Sequence, residues 1–140
     1  MKLNSDCIRA VMLKVEEMQT YTCNEEGYIE SNYLGIEALY DALPDFTHED
    51  IFYALFNLEQ AGYVNLSMQW DAVGTLHICI INYMTYDGHE FLEKISDSMR
   101  WKIVKSGLTA IRDYSLDAIN AVANGVAGAA ISAYIDKLEL

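Results

Sequence analysis

A chain of 140 residues with 52% hydrophobic side chains suffices for one domain with its own core, at a size where folding buries roughly two-thirds of the chain's surface; a disordered segment is excluded. The net charge of −12 is unevenly placed: residues 1–93 carry 3 basic and 16 acidic side chains, and residues 94–140 carry 6 and 5. Non-specific nucleic-acid affinity comes from Lys and Arg that displace counterions, so the first 93 residues are poorly equipped to hold a phosphate backbone.

Asn4 or Ser5 caps a first predicted helix, in which Cys7, Ile8, Val11, Met12, Val15 and Met18 recur at three- and four-residue spacing as far as about Gln19. Residues 20–27 read as a polar link, followed by a short β-leaning stretch over 28–33. A second helix is expected from about Gly35 to Leu43, where Pro44, the only proline, stops it. Thr47, with Asp50 three residues on, resembles a shortened capping box, and Glu49 and Asp50 suit the positive end of a helix dipole. The third helix has an inward stripe of Ile51, Leu55 and Leu58, widened by Phe52, Tyr53 and Phe56, and Gly62 closes it in the position where positive φ is common.

From Tyr63 the period changes to two. Val64, Leu66, Met68 and Trp70 form one apolar face, 71–74 a turn, and Leu76, Ile78 and Ile80, alternating with His77, Cys79 and Ile81, the return strand. Thr85 caps a fourth helix with Phe91, Leu92 and Ile95 inward, continued through Met99, Trp101, Ile103 and Val104 after a break near 96–98, with Gly107 as its expected end. The last helix, from about Ser115 to Lys137, has no charge between Ala118 and Ile135. Ala121, Gly125 and Ala129 form a small-residue ladder along it, which suits close approach of another helix and makes them candidates for self-association. Asn120, Asn124 and Ser132 interrupt the run, so a packed helix is expected rather than a membrane span.

The expected architecture is α+β and mainly helical: a winged helix-turn-helix over 1–96 with a two- or three-stranded wing, then a C-terminal helical extension over 97–140 for packing or oligomerisation. The segments Leu58-x-x-x-Gly62-Tyr-Val64 and Met84-Thr-x-x-Gly88-x-x-Phe-Leu92 resemble those of winged-helix repressors of the multiple-antibiotic-resistance type, over about residues 30–95. Met1-Lys-Leu-Asn4 with Asp6-Cys-Ile-Arg9, Leu43-Pro-Asp, Glu59-x-Ala-Gly-Tyr63 and Thr85-Tyr-x-Gly-His-Glu-Phe-Leu92 resemble the family termed domain of unknown function 2513, over most of the chain. That resemblance implies a small protein of Gram-positive bacteria and their phages or prophages, with no established activity.

Cys7, Cys23 and Cys79 are odd in number and lack CxxC spacing, so reduced and mostly buried thiols in a cytoplasmic protein are expected, with no zinc knuckle. The N-terminus lacks the apolar run of a signal peptide. His89-Glu90, with His77 and Cys79 on one strand face, does not match HExxH and has no evident further ligands, so structural use is expected and no metal or other cofactor. No nucleophile constellation or phosphate loop stands out, and no enzyme is expected.

DNA reading by the third helix is disfavoured by charge. It has no Lys or Arg from Thr47 to Gly62, and His48, Glu49, Asp50 and Glu59 would face the groove or its backbone. Another DNA mode would fall to Lys94, Arg100, Lys102 and Lys105, and would need a dimer to gather enough charge. Met68 and Trp70, with the acidic His48-Glu49-Asp50 turn, are the candidate contacts to a protein partner of unknown identity, and a homodimer would form through the C-terminal helices. Tyr86 and Trp101 are further aromatic candidates, Trp101 more as core. The leading expectation is thus a phage- or prophage-associated interaction protein, the second a dimeric transcriptional regulator, the third an acidic inhibitor that presents carboxylates where phosphates would sit.

Overall fold

A computed structural model describes residues 1–138. The elements in chain order are α1 (Ser5–Met18), β1 (Tyr21–Cys23), β2 (Ile29–Ser31), β3 (Leu34–Gly35), α2 (Ile36–Ala42), α3 (His48–Gln60), β4 (Val64–Trp70), β5 (Leu76–Met84), α4 (Tyr86–Ile95), α5 (Ser98–Ile111) and α6 (Leu116–Lys137). The architecture is α+β, with six helices and two small antiparallel sheets among the described residues. One sheet is the β1–β2 hairpin; the other has the order β3-β5-β4.

The caps expected at Asn4, Thr47 and Thr85 form, and Asp97 and Ser115 act in the same way. Asn4, Thr47, Thr85, Asp97 and Ser115 each accept a backbone N–H from the first turn of the helix they precede, satisfying a donor that the helix itself leaves without a partner. Gly62 ends α3 with φ of +81°, the left-handed conformation that costs glycine least.

Several elements differ from expectation. The link over 20–27 contains β1, which pairs with β2 across a turn organised by Asn24, whose Oδ1 accepts from the N–H groups of Glu26 and Tyr28. Leu34 and Gly35 add a short third strand to the main sheet, pairing with Ile81 and Ile80. α4 and α5 are separate helices, because Asp97 caps a new one instead of bridging a break. α5 runs through Gly107 to Ile111, and Gly107 lies where α5 crosses α6: a β-carbon there would stand 2.8 Å from Val122 Cγ1.

The core is one continuous cluster running from Ile8, Val11 and Met12 through Leu39, Ile51, Leu55, Leu58, Ile81, Phe91 and Ile95 to Val104, Leu108, Ile119 and Ala123. Its apolar side chains supply the main drive to fold, at roughly 25 cal/mol per Å² buried. α1 is fixed to the C-terminal half by polar contacts. Arg9 Nε donates to the Ile95 carbonyl at 2.8 Å and Arg9 Nη2 to that of Ser96 at 2.7 Å, which places a cation on the negative end of α4. Trp101, buried as expected, donates its indole N–H to Asp6 at 2.9 Å.

The β4–β5 ladder carries two irregularities that re-aim side chains. Asn65 pairs with Tyr83 and Leu66 with Ile81, so Asn82 is an extra residue; Gln69 pairs with Ile78 and Trp70 with Leu76, so His77 is another. A bulge shifts which residues face inward. Cys79, Ile81 and Met84 are therefore the buried residues of β5, while Leu76, Ile78 and Ile80 are only half-buried.

Candidate interaction surface

The outer face of α3 and the adjoining end of the hairpin carry a contiguous group of aromatic rings. Ile51, Leu55 and Leu58 are inside as expected, but Phe56 is partly exposed and takes no place in the buried stripe. Phe52 lies 6.0 Å from Phe56, ring centre to ring centre, and Trp70 meets Phe52 edge-on at 5.7 Å with the planes at 79°. Edge-to-face geometry of this kind sets the positive rim of one ring against the negative face of the other. The strand end is thereby fastened to the helix, with Trp70 still about half exposed at 49%.

The elements that carry these rings have charge of one sign in their sequence. Residues 15–93 contain no Lys or Arg, and Asp41, Asp45, Glu49, Asp50, Glu59 and Asp71 lie within α2, α3 and the hairpin or the turns between them. His48 stacks on Tyr40 with ring centres 3.9 Å apart and planes at 5°, which occupies one face of its imidazole. Burial raises the pKa of the Tyr40 hydroxyl, and the charges at Cys79, Glu37 and Glu49 add to the effect. Of the candidate contacts, Glu49 and His48 are exposed, and Asp50 and Met68 are half-buried. Glu59, expected to face outward, is half-buried as well, with Oε2 buried and unpartnered among the described residues.

The hairpin turn is organised by Asp71. Its Oδ1 accepts from the N–H groups of Val73 and Thr75, and its Oδ2 lies 2.8 Å from His77 Nε2. The Thr75 amide, then His77, lowers the Asp71 pKa below its ordinary value. His77 and Cys79 do not share an environment: His77 is exposed against Asp71, and Cys79 is buried. His89 is 3.9 Å from Glu16 on α1. Among the described residues no group of three or more His, Cys, Asp or Glu is placed to hold a metal ion.

The cysteines divide. Cys7 and Cys79 are buried, and burial pushes their thiols up to about 12 and about 11, with Asp50 adding at Cys7 and Glu37 and Glu59 at Cys79. Cys23 is the exception to the expected mostly buried thiols: it is exposed on β1, because the β1–β2 hairpin stands off the core with all six strand residues exposed.

The four basic candidates are only partly brought together. Lys102 and Lys105 border one shallow depression with Ser106 and Thr109, whereas Arg100 lines a different, apolar groove with Ile103 and Val126. Lys105 is also engaged, with Nζ 3.2 Å from Asp6 Oδ1, and Lys94 is half-buried in the last turn of α4. On α6, Ala121, Gly125 and Ala129 are exposed, and Gly125 and Ala129 line the same groove as Arg100. α6 is long and apolar enough to cross a membrane by length and composition alone.

Comparison with known proteins places the chain. Residues 2–112 match the family described as hypothetical protein, DUF2513. The chain belongs to this family. An uncharacterized protein of Haemophilus influenzae is 29% identical over 131 residues, covering 90% of this chain and 95% of the relative. The family match ends at Arg112, the left-handed residue that closes α5, so α6 lies outside it.

Proposed function

We propose that the chain is a non-enzymatic winged-helix protein of the bacterial cytoplasm, of phage or prophage association, that meets a basic protein partner through the α3–hairpin face. The winged-helix reading is supported by the order α1, β3, α2, α3, β4, β5 with antiparallel strand order β3-β5-β4, which makes α2–α3 the helix-turn-helix and β4–β5 the wing.

The observation that carries the partner reading is the Trp70–Phe52 contact beside Phe56, on a helix that carries Glu49, Asp50 and Glu59 and no Lys or Arg. A recognition helix that reads base edges needs polar and cationic side chains there. Partly exposed aromatic rings such as Phe56 and Trp70 are instead what protein interfaces use as anchors. The carboxylates of α2, α3 and the hairpin, with no Lys or Arg among them, select against nucleic acid and for positive charge on the partner.

The test compares wild type with Trp70→Ala and Phe56→Asp as baits for host proteins, alongside duplex-DNA shifts at about 150 mM salt, near physiological screening. The reading requires a partner retained by wild type and lost by both variants at unchanged fold, with binding weakened as salt rises. A DNA shift at sub-micromolar protein that Lys102→Glu with Lys105→Glu abolishes overturns it in favour of a dimeric regulator. A partner displaced by free duplex DNA would make the acidic face a nucleic-acid mimic.

A further inference from the structure

Three tyrosines line one groove on the outer side of the main sheet. Leu34 and Ile81 pair across β3 and β5 and are both buried, so their chain neighbours Tyr33 and Ile80 face away from the core. The bulge at Asn82 leaves Tyr83 exposed while Met84 is buried. Tyr21 reaches the same place from β1: its hydroxyl accepts from Gln19 Nε2 at 3.2 Å, and that nitrogen also donates to the Asn82 carbonyl at 2.6 Å. Tyr21, Tyr33 and Tyr83, with Ile80, Asn32 and Asn82, line a groove of about 370 Å³. The tyrosines are 60%, 76% and 44% exposed.

The amides in the groove are already committed. Asn32 accepts from Thr20 N–H at 2.9 Å and donates to the Met18 carbonyl at 2.8 Å, which ties the root of the β1–β2 hairpin to the end of α1. Asn82 Nδ2 donates to Asn65 Oδ1 at 2.7 Å and to Ser67 Oγ at 2.8 Å, which holds the bulge. Breaking these bonds to serve a sugar hydroxyl or a base edge would lose as much as it gained. Ring faces and apolar surface remain available. An aromatic face attracts positive charge through its quadrupole and needs no directional hydrogen bond to do so.

A carboxylate stands beside the groove. None of the lining residues is charged, but Tyr33 and Ile80 also border a smaller cleft with Glu37. Glu37 Oε2 lies over Gly35, where a β-carbon would stand 2.8 Å from it. After burial, Glu37 is the largest cause of the raised Cys79 pKa. Among the described residues no Lys, Arg or His forms an ion pair with Glu37. The strands and helix that build the two clefts carry no Lys or Arg in their sequence.

We infer that this groove binds an alkylated ammonium, a quaternary nitrogen whose methyl groups lie against the rings of Tyr21, Tyr33 and Tyr83 while Glu37 balances its charge. A bare ammonium is a poorer match, because its strong hydration is lost and its N–H groups find their acceptors already engaged. The same head is carried by free small molecules and by methylated lysine on a protein. The groove lies away from α3, so its failure would leave the partner reading of that face intact.

The experiment is titration calorimetry of the full chain with choline chloride and with its neutral isostere, in which a tert-butyl group replaces the trimethylammonium. Choline should bind saturably and about tenfold more tightly than the isostere. Tyr33→Leu should weaken choline about tenfold, whereas Tyr33→Phe keeps the ring and should stay within about threefold of wild type. Tyr33 is largely exposed, so neither variant should change the melting temperature. Glu37→Gln should weaken choline and leave the isostere unaffected. A short peptide bearing trimethyllysine identifies the source: tighter binding than choline assigns the head to a protein, and weaker binding assigns it to a free small molecule. Equal affinity for choline and isostere, or wild-type affinity in Tyr33→Leu, overturns the inference. So does preference for the unmethylated peptide, or the lack of saturable binding of choline and of the methylated peptide in the millimolar range.

Discussion

Gly88 faces the carbonyl of Tyr63, and there is no room for a β-carbon between them: one built at Gly88 would collide with the Tyr63 oxygen and lie 2.9 Å from Met84 Cγ. The approach is held from both sides, since Thr85 N–H donates to the same Tyr63 oxygen at 3.0 Å and Thr85 Oγ1 donates to the Gly62 carbonyl at 2.6 Å. The start of α4 is thus pinned to the start of β4. Gly88→Ala must push α4 away from the strand and, since backbone cannot yield cheaply, should cost about 2 kcal/mol or more. The check is the urea midpoint at constant m; a change under about 0.5 kcal/mol would show that the approach is looser than described.

Thr85 serves the same junction by two routes, as cap acceptor for the Gly88 N–H at 3.0 Å and as donor to Gly62. Thr85→Val keeps the volume and loses both bonds. A loss of about 1 to 2 kcal/mol is expected, larger than for Thr47→Val, where the cap accepts from Asp50 N–H at 3.1 Å and no second bond is formed. Equal losses at the two caps would remove the special standing of the α4 junction.

The junction also shows why the sequence was readable where it was. Caps, glycines and three- or four-residue apolar spacing act within a few residues, so Asn4, Thr47, Gly62 and Thr85 could be recognised directly. β1 and the bulges at Asn82 and His77 could not, because strand pairing is a relation between distant segments and a single extra residue shifts the inward face. Asn24 and Gly27 were the overlooked signal for the first hairpin, the former as turn organiser and the latter with φ of +86°. Of the surface residues, Trp70 stands out in the sequence by its place at the turn. Phe56 reads as inward because it extends the apolar stripe, whereas the helix's rotation places it beside Phe52 on the exposed side.

The two tryptophans have opposite surroundings and should be separable by light. Trp101 is 5% exposed with its N–H held by Asp6, and Trp70 is 49% exposed. Trp70→Phe should leave a blue-shifted emission that acrylamide quenches weakly, and Trp101→Phe a red-shifted, readily quenched one. In the Trp70→Phe background, Asp6→Ala removes both the indole acceptor and the Lys105 partner and should shift the Trp101 band while costing about 1 kcal/mol. An unchanged band would mean that Asp6 does not hold the indole.

Alkaline pH tests the buried thiols. Cys7 and Cys79 hold their protons to about 12 and about 11, against the ordinary value of 9.0, chiefly because a thiolate in the core loses its water. The folded state therefore binds more protons than the unfolded chain above pH 9, so stability falls as pH rises. Their contribution is fully present below pH 9 and is lost progressively toward 11 and 12. Cys79→Ala should flatten the alkaline slope of the urea midpoint even if it lowers stability at neutral pH through the smaller side chain. At pH 8 a thiol reagent should label one cysteine rapidly, Cys23, and the other two only as fast as the protein unfolds. Rapid labelling of two or three sites in the native protein would contradict the burial from which the shifts arise.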